Sequence, residues 1–184
     1  MGLPRKLKNM NAFVDGKSYL GVIAEFEEPK LAIKTEDWRG GGMLGDVKLD
    51  MGLEAMEAKL KMGGHEASLI RKFGTPALDG VRLRLVGAYQ RDDGSAAQAV
   101  EVYLGGRFTE IAPGTSKPGD DTEHEYTVPL VYYRREVNGR VEVEIDMLAG
   151  VFIVDGIDRY AEIRAIIGGG DTLEVSTSFG GISI

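Results

Sequence analysis

EYTVPLVYYRREVNGRVEVEID, residues 125–146, decides the fold. From Glu125 to Glu136 the residues alternate, which places Tyr126, Val128, Leu130, Tyr132 and Arg134 on one face of a long strand. Asn138-Gly139 then tolerates the positive φ angles of a two-residue hairpin turn and returns the chain through Val141, Val143 and Ile145. Tyr132-Tyr133 puts one ring on each face, so at least one ring is core and the other is free to meet a neighbour.

The same grammar repeats upstream. Val81, Leu83, Leu85 and Gly87 alternate with Arg82, Arg84 and Val86, and Asp92-Asp93-Gly94 turns the chain towards Val100, Val102 and Leu104. Asp15-Gly16 joins Phe13-Val14 to Ser18–Val22 in a further hairpin. Lys30 to Trp38 reads as a strand with Leu31, Ile33 and Thr35 on one face. Val47, Leu49, Met51 and Leu53 resume the alternation, which after a phase change continues through Met56, Ala58, Leu60 and Met62, as in one long bent or bulged strand. Phe152 to Val154 is a brief strand. Helical spacing appears twice, at Ala67, Leu69, Ile70 and Phe73 within 65–73, and over Ile157 to Ile167 before Gly168 to Gly170. The expected fold is mainly β, an antiparallel sandwich or barrel with one or two short flanking helices. A single domain over 1–167 and a C-terminal extension over 168–184, a strand or a fraying end, account for the length.

Composition narrows the function. Of 184 residues 26 are glycine and none is cysteine, so disulfides, thiolate nucleophiles and thiolate metal sites are excluded. A net charge of -7 disfavours a phosphate-backbone ligand, which needs a basic face. The N-terminus is basic but has no apolar stretch after it, and the longest apolar run, Met147 to Val154, is far short of the roughly 20 residues that cross a bilayer. The expectation is assembly in a host cytoplasm without a membrane anchor.

No constellation carries chemistry. His65 and His124 are far apart in sequence and lie in no ligand spacing. Gly40-Gly41-Gly42 lacks the Gly-Lys-Ser/Thr of a phosphate loop. The acidic groups Asp92-Asp93, Asp120-Asp121 and Glu142/Glu144/Asp146 sit where turns and solvated strand faces carry charge. Serine lacks a nucleophile elbow around it. No catalytic residue, metal ligand or cofactor is expected. Arg39 to Gly45, by contrast, packs four glycines around Met43 and Leu44 and so offers two large apolar side chains on a contact loop.

Pro29-Lys30-Leu31, Lys34-Thr35-Glu36, Trp38-Arg39, Gly41-Gly42-Met43 and Asp50-Met51-Gly52-Leu53-Glu54-Ala55-Met56-Glu57-Ala58-Lys59 resemble the contractile-tail tube protein family, which includes phage major tail tubes and R-type bacteriocin tubes. Asn11-Ala12-Phe13-Val14-Asp15-Gly16, Glu136-Val137-Asn138-Gly139 and Val154-Asp155-Gly156 are similar to it too, so the likeness spans about 3–167. It implies six copies joining their sheets into a ring and rings stacking into a tube around a lumen. DNA or ions pass through that lumen without specific binding. It also implies partners: the tail sheath, a baseplate initiator and a tail terminator. The destination is a virion tail or a released tail-like particle. By analogy Trp38, Arg39, Met43 and Leu44 form the arm that reaches an adjacent ring or subunit, and Glu66, Arg71 and Lys72 give a helix surface for sheath or neighbour. Two other classes fit less of the sequence: a type VI secretion-like tube protein, and a monomeric carbohydrate-binding β-barrel.

Overall fold

The computed structural model describes residues 2–168. The expected C-terminal extension, from residue 169 onwards, lies outside the described residues. In chain order the elements are β1 (Lys6–Val14), β2 (Lys17–Ser18), β3 (Ile23–Glu27), β4 (Ile33–Trp38), β5 (Val47–Leu53), β6 (Met56–Met62), α1 (Ala67–Ile70), β7 (Val81–Gln90), β8 (Gln98–Gly106), β9 (Glu110–Ala112), β10 (His124–Val137), β11 (Arg140–Asp146), β12 (Val151–Val154), β13 (Ile157–Asp158) and α2 (Ala161–Ile166). The mainly β, antiparallel fold with two short helices is as the sequence implies.

β10 organises the body. Its second half pairs with β8 and β11, extending through β7 and β1 on one side and β12 on the other. Its first half pairs with β9 and β6, and β6 with β3. The two halves form facing layers joined along one strand, and Tyr126, Val128, Leu60, Leu83, Val102 and Leu104 fill the space between them, each nearly or fully buried. Three hairpin turns carry both central residues at positive φ, namely Asp15-Gly16, Asn138-Gly139 and Asp155-Gly156, the geometry that matches strand twist.

β10 departs from simple alternation. Tyr126, Val128 and Leu130 are buried as expected, but beyond Val131 the register with β8 slips, and Tyr133 enters the core while Tyr132 and Arg134 turn to the other face. A bulge inserts one residue and inverts the phase, which alternation alone cannot foresee. Burial pushes the Tyr133 phenol up to about 12, and the nearby Glu28 carboxylate adds to the rise. Because the folded value lies above that of the unfolded chain, the stability it confers is complete below about pH 10 and is lost as pH climbs through 12. Tyr132, Tyr126 and Tyr103 are raised as well and titrate in both proteins, so the expected outcome is a loss across that interval, read from urea midpoints, that is smaller in Tyr133→Phe than in the parent by about 2–3 kcal/mol.

Other expectations need correction. Val47–Leu53 and Met56–Met62 are not one bent strand: among the described residues β5 pairs only with β4, in a separate two-stranded sheet, whereas β6 joins the body. The phase change marks the point where the chain leaves one structure for the other. The first helix shrinks to Ala67–Ile70, with Leu69 fully buried but Phe73 exposed. Ile157 begins not a helix but β13, because the Asp155-Gly156 turn pairs Val154 with Ile157. α2 starts only at Ala161, held by the Arg164–Asp158 ion pair at 2.7 Å.

Candidate assembly interface

β4 and β5 form an arm. Their cross-strand pairs Trp38–Val47 and Glu36–Leu49 put Trp38, Val47, Leu49 and Met51 on one face together with the Glu36 carboxylate, while Asp37 and Lys48 pair at 2.8 Å on the other. The arm is therefore amphipathic, yet every residue of β4 is exposed, and Trp38, Leu49 and Met51 are about half exposed. A lone two-stranded hairpin is marginally stable in water, and an exposed apolar face of this kind is a candidate contact surface.

The arm's tip is more ordered than its glycines suggest. The Gly40 N–H donates to the Met43 sulfur at 3.0 Å, the Met43 N–H to the Gly40 carbonyl at 3.2 Å, and the Arg39 guanidinium to the Leu44 carbonyl at 3.3 Å. Met43 folds back and is half-buried, so of the two apolar side chains expected on the loop only Leu44 stands free in solvent. The loop expected as a contact arm is the tip of this hairpin, and the flanking Val47, Leu49 and Met51, whose alternation is visible in the sequence, extend its exposed apolar surface.

The body offers open strand edges. β2 covers β1 only at Phe13 and Val14, and among the described residues no strand pairs with the outer side of the stretch from Lys6 to Asn11. Lys6, Lys8 and a bulge between Leu7 and Asn9 guard that edge, as charge and irregularity commonly do. Among the described residues β3 pairs only with β6 and β9 only with β10, which leaves both margins of the four-stranded layer β3-β6-β10-β9 without a partner strand there. The outward face of that layer carries Glu25, Glu27, Glu57, Glu110 and Glu125 against Lys59 and Lys61. Lys61 reaches Glu25 at 2.7 Å and Lys59 reaches Glu125 at 3.8 Å. The face stays acidic after those pairs are made.

α1 seals one end of the sandwich. Glu66 is half-buried and lies 3.8 Å from Lys17, Lys72 pairs with Asp15, and Arg71 is exposed. Of the helix-surface candidates Arg71 alone is thus free of an internal role. The fold also brings the two histidines together, His65 edge-on to the buried His124 with centroids 5.8 Å apart, which their sequence separation hides. Among the described residues no group of three potential ligands surrounds them. The acidic groups have structural work: Asp93 accepts from the Ser95 N–H at 3.0 Å, Glu144 from the Tyr132 hydroxyl at 2.9 Å, and Asp146 from the Leu148 and Ala149 N–H groups. Lys117 holds Asp120 at 2.9 Å.

An acidic β-body with edges left open among the described residues, and an amphipathic arm, places the chain in the class of β-rich structural proteins. The chain belongs to the phage tail tube protein FII family, whose pattern matches residues 4–168. Its relatives include the tail tube protein of Escherichia phage P2, 41% identical over 171 residues, which cover 91% of this chain and 99% of that one. The major tail tube protein of Serratia phage KSP20 is 40% identical over 164 residues, 88% of this chain and 94% of that one. Solved structures of similar fold include the sheath/tube terminator of an extracellular contractile injection system, with a TM-score of 0.56, 11% identity and coverage of 74% of this chain and 99% of that one. The tube-terminating cap of the anti-feeding prophage gives 0.55 at 12% identity, covering 74% and 93%. The protein is a structural tail tube subunit of a contractile phage tail or phage-like particle, not an enzyme.

Proposed function

We propose that six copies close into a ring and that rings stack into the inner tube of a contractile tail, with residues 1–167 as the tube domain. The observation that carries the reading is the pair of edges, β3 and β9, left open among the described residues on a single four-stranded layer. A neighbour's β9 added beside β3 continues the sheet, and a head-to-tail contact of this kind closes when its rotation closes. The acidic outward face of the layer then lines the lumen, where its carboxylates repel phosphates and let DNA slide without sticking. In an empty tail-like particle the same bore conducts ions.

The arm with Trp38, Arg39, Met43 and Leu44 at its tip makes the contacts between subunits or rings. Of Glu66, Arg71 and Lys72, the exposed Arg71 is the one that faces the sheath or a neighbour, Glu66 and Lys72 being engaged within the chain. A sheath, a baseplate initiator and a terminator are the further partners; a chain of the sheath–tube complex of the extracellular contractile injection system has a similar fold. Assembly takes place in the host cytoplasm, and the product is a virion tail or a released particle. Negative-stain electron microscopy with light scattering over a range of concentrations tests this. Six-fold rings or hollow tubes are expected, and a protein that stays monomeric at high concentration and ignores a tail initiator overturns it.

A further inference from the structure

α2 carries an apolar stripe on the wrong side of a surface helix. Tyr160, Ile163, Ile166 and Ile167 recur at three- and four-residue spacing, which gathers them on one side of the helix, and the exposed Ile157 of β13 precedes them. Such a stripe ordinarily faces the core. Here the helix has no buried residue, and Ile166 and Ile167 are 78% and 72% exposed. α2 is nonetheless fastened in place. Arg164 donates to the Gly150 carbonyl at 2.8 Å and pairs with Asp158, and the Tyr160 ring lies near Gly150. The isoleucines of a fixed helix thus have no cover among the described residues, and a contiguous apolar surface of this kind marks a contact.

We propose that residues 171–179 of the same chain lie across this stripe and are its cover. Four observations converge on that occupant. Ile167 caps α2, and the Gly168 that follows has φ 82° and donates its N–H to the Ala165 carbonyl at 3.3 Å. A left-handed glycine in that place ends a helix and turns the chain aside, and Gly169 and Gly170 add no side chain to obstruct a close return. The five residues from 169 to 173 reach up to about 17 Å, whereas a helix of six residues is about 9 Å long, so the whole stripe is within range. The segment also has the right pattern, because Leu173, Val175 and Phe179 alternate with Glu174, Ser176 and Ser178, as in a chain with one covered face. Charge agrees: Arg159, next to the stripe, is exposed and has no carboxylate partner among the described residues, and the segment brings Asp171 and Glu174. Finally, the family pattern ends at residue 168, so segment and stripe are features of this chain that the shared tube domain does not call for. A tether of three glycines gives the chain's own segment a local concentration in the millimolar range, about 1 mM or more, which favours it over a second copy.

The absence of cysteine makes the test direct. Ile163→Cys is combined in turn with Leu173→Cys, Val175→Cys and Phe179→Cys in the full chain, and each protein is oxidised in dilute solution. Arg71→Cys on α1 replaces Ile163→Cys in the controls. α1 hydrogen-bonds to β2 and α2 follows β13, at the two ends of the main sheet's strand order, and both Arg71 and Ile163 are exposed. At least one of the three pairs is expected to close a disulfide within the chain in at least ~10-fold higher yield than its control, because docking raises the local thiol concentration. In that protein, changing the other two of Leu173, Val175 and Phe179 to Asp returns the yield to the control level, since the contact is apolar. Control-level yield from all three pairs overturns the assignment, and so does a yield that the Asp changes leave untouched. A disulfide that joins two chains puts the segment on a second copy and overturns the own-chain cover. Each readout is independent of whether rings or tubes form, so its failure and that of the tube reading are told apart.

Discussion

Trp38→Glu combined with Leu49→Glu leaves the protein folded and monomeric and abolishes tube formation. Both side chains are about half exposed on an arm whose strands pair only with each other, so their loss costs the monomer no more than about 0.5 kcal/mol. In the assembly each gives up the burial of a large apolar side chain, about 1.5–3 kcal/mol. Together that is a factor of roughly 10²–10⁴ in the association constant at every junction. Electron microscopy should show no rings or tubes where the parent forms them, with unchanged circular dichroism and urea midpoint. Tubes of normal length from the double variant would remove the arm from the assembly contacts.

Gly106→Val loses about 3 kcal/mol of stability, the largest effect expected of a single substitution in the body. Gly106 is the last residue of β8, where that strand parts from β10, and a Cβ there would lie 2.4 Å from the Pro129 carbonyl oxygen and 2.9 Å from a Val128 methyl. The first contact is backbone and cannot yield without moving the strand that joins the two layers. Gly41→Ala at the arm tip, where an added Cβ meets nothing, is the matched control and should change the urea midpoint by less than about 0.5 kcal/mol. Equal midpoints for the two variants would mean that the close approach at Gly106 relaxes freely.

Much of the fold was legible in the residues themselves. The runs Val81–Leu85, Val100–Leu104 and Tyr126–Leu130 went to the core as their alternation demands, because a strand with one buried face repeats every two residues. Asp15-Gly16 and Asn138-Gly139 marked turns because few residue pairs accept positive φ twice in succession. Family membership too was legible, in the order and spacing of short fragments over nearly the whole chain.

Tertiary structure decided the rest. Alternation says that a face is apolar but not what covers it, so β5 and β6 read alike although one is on an exposed arm and the other has Met56, Ala58, Leu60 and Met62 buried. The bulge at Val131, which exchanges Tyr132 for Tyr133 in the core, arises from how β8 and β10 part, a relation between strands some 30 residues distant in sequence. The candidate interface depends on the same kind of information. Open edges and an acidic face are properties of which strands become neighbours, and pairing across long separations is set by the closure of the whole core, not by any local pattern.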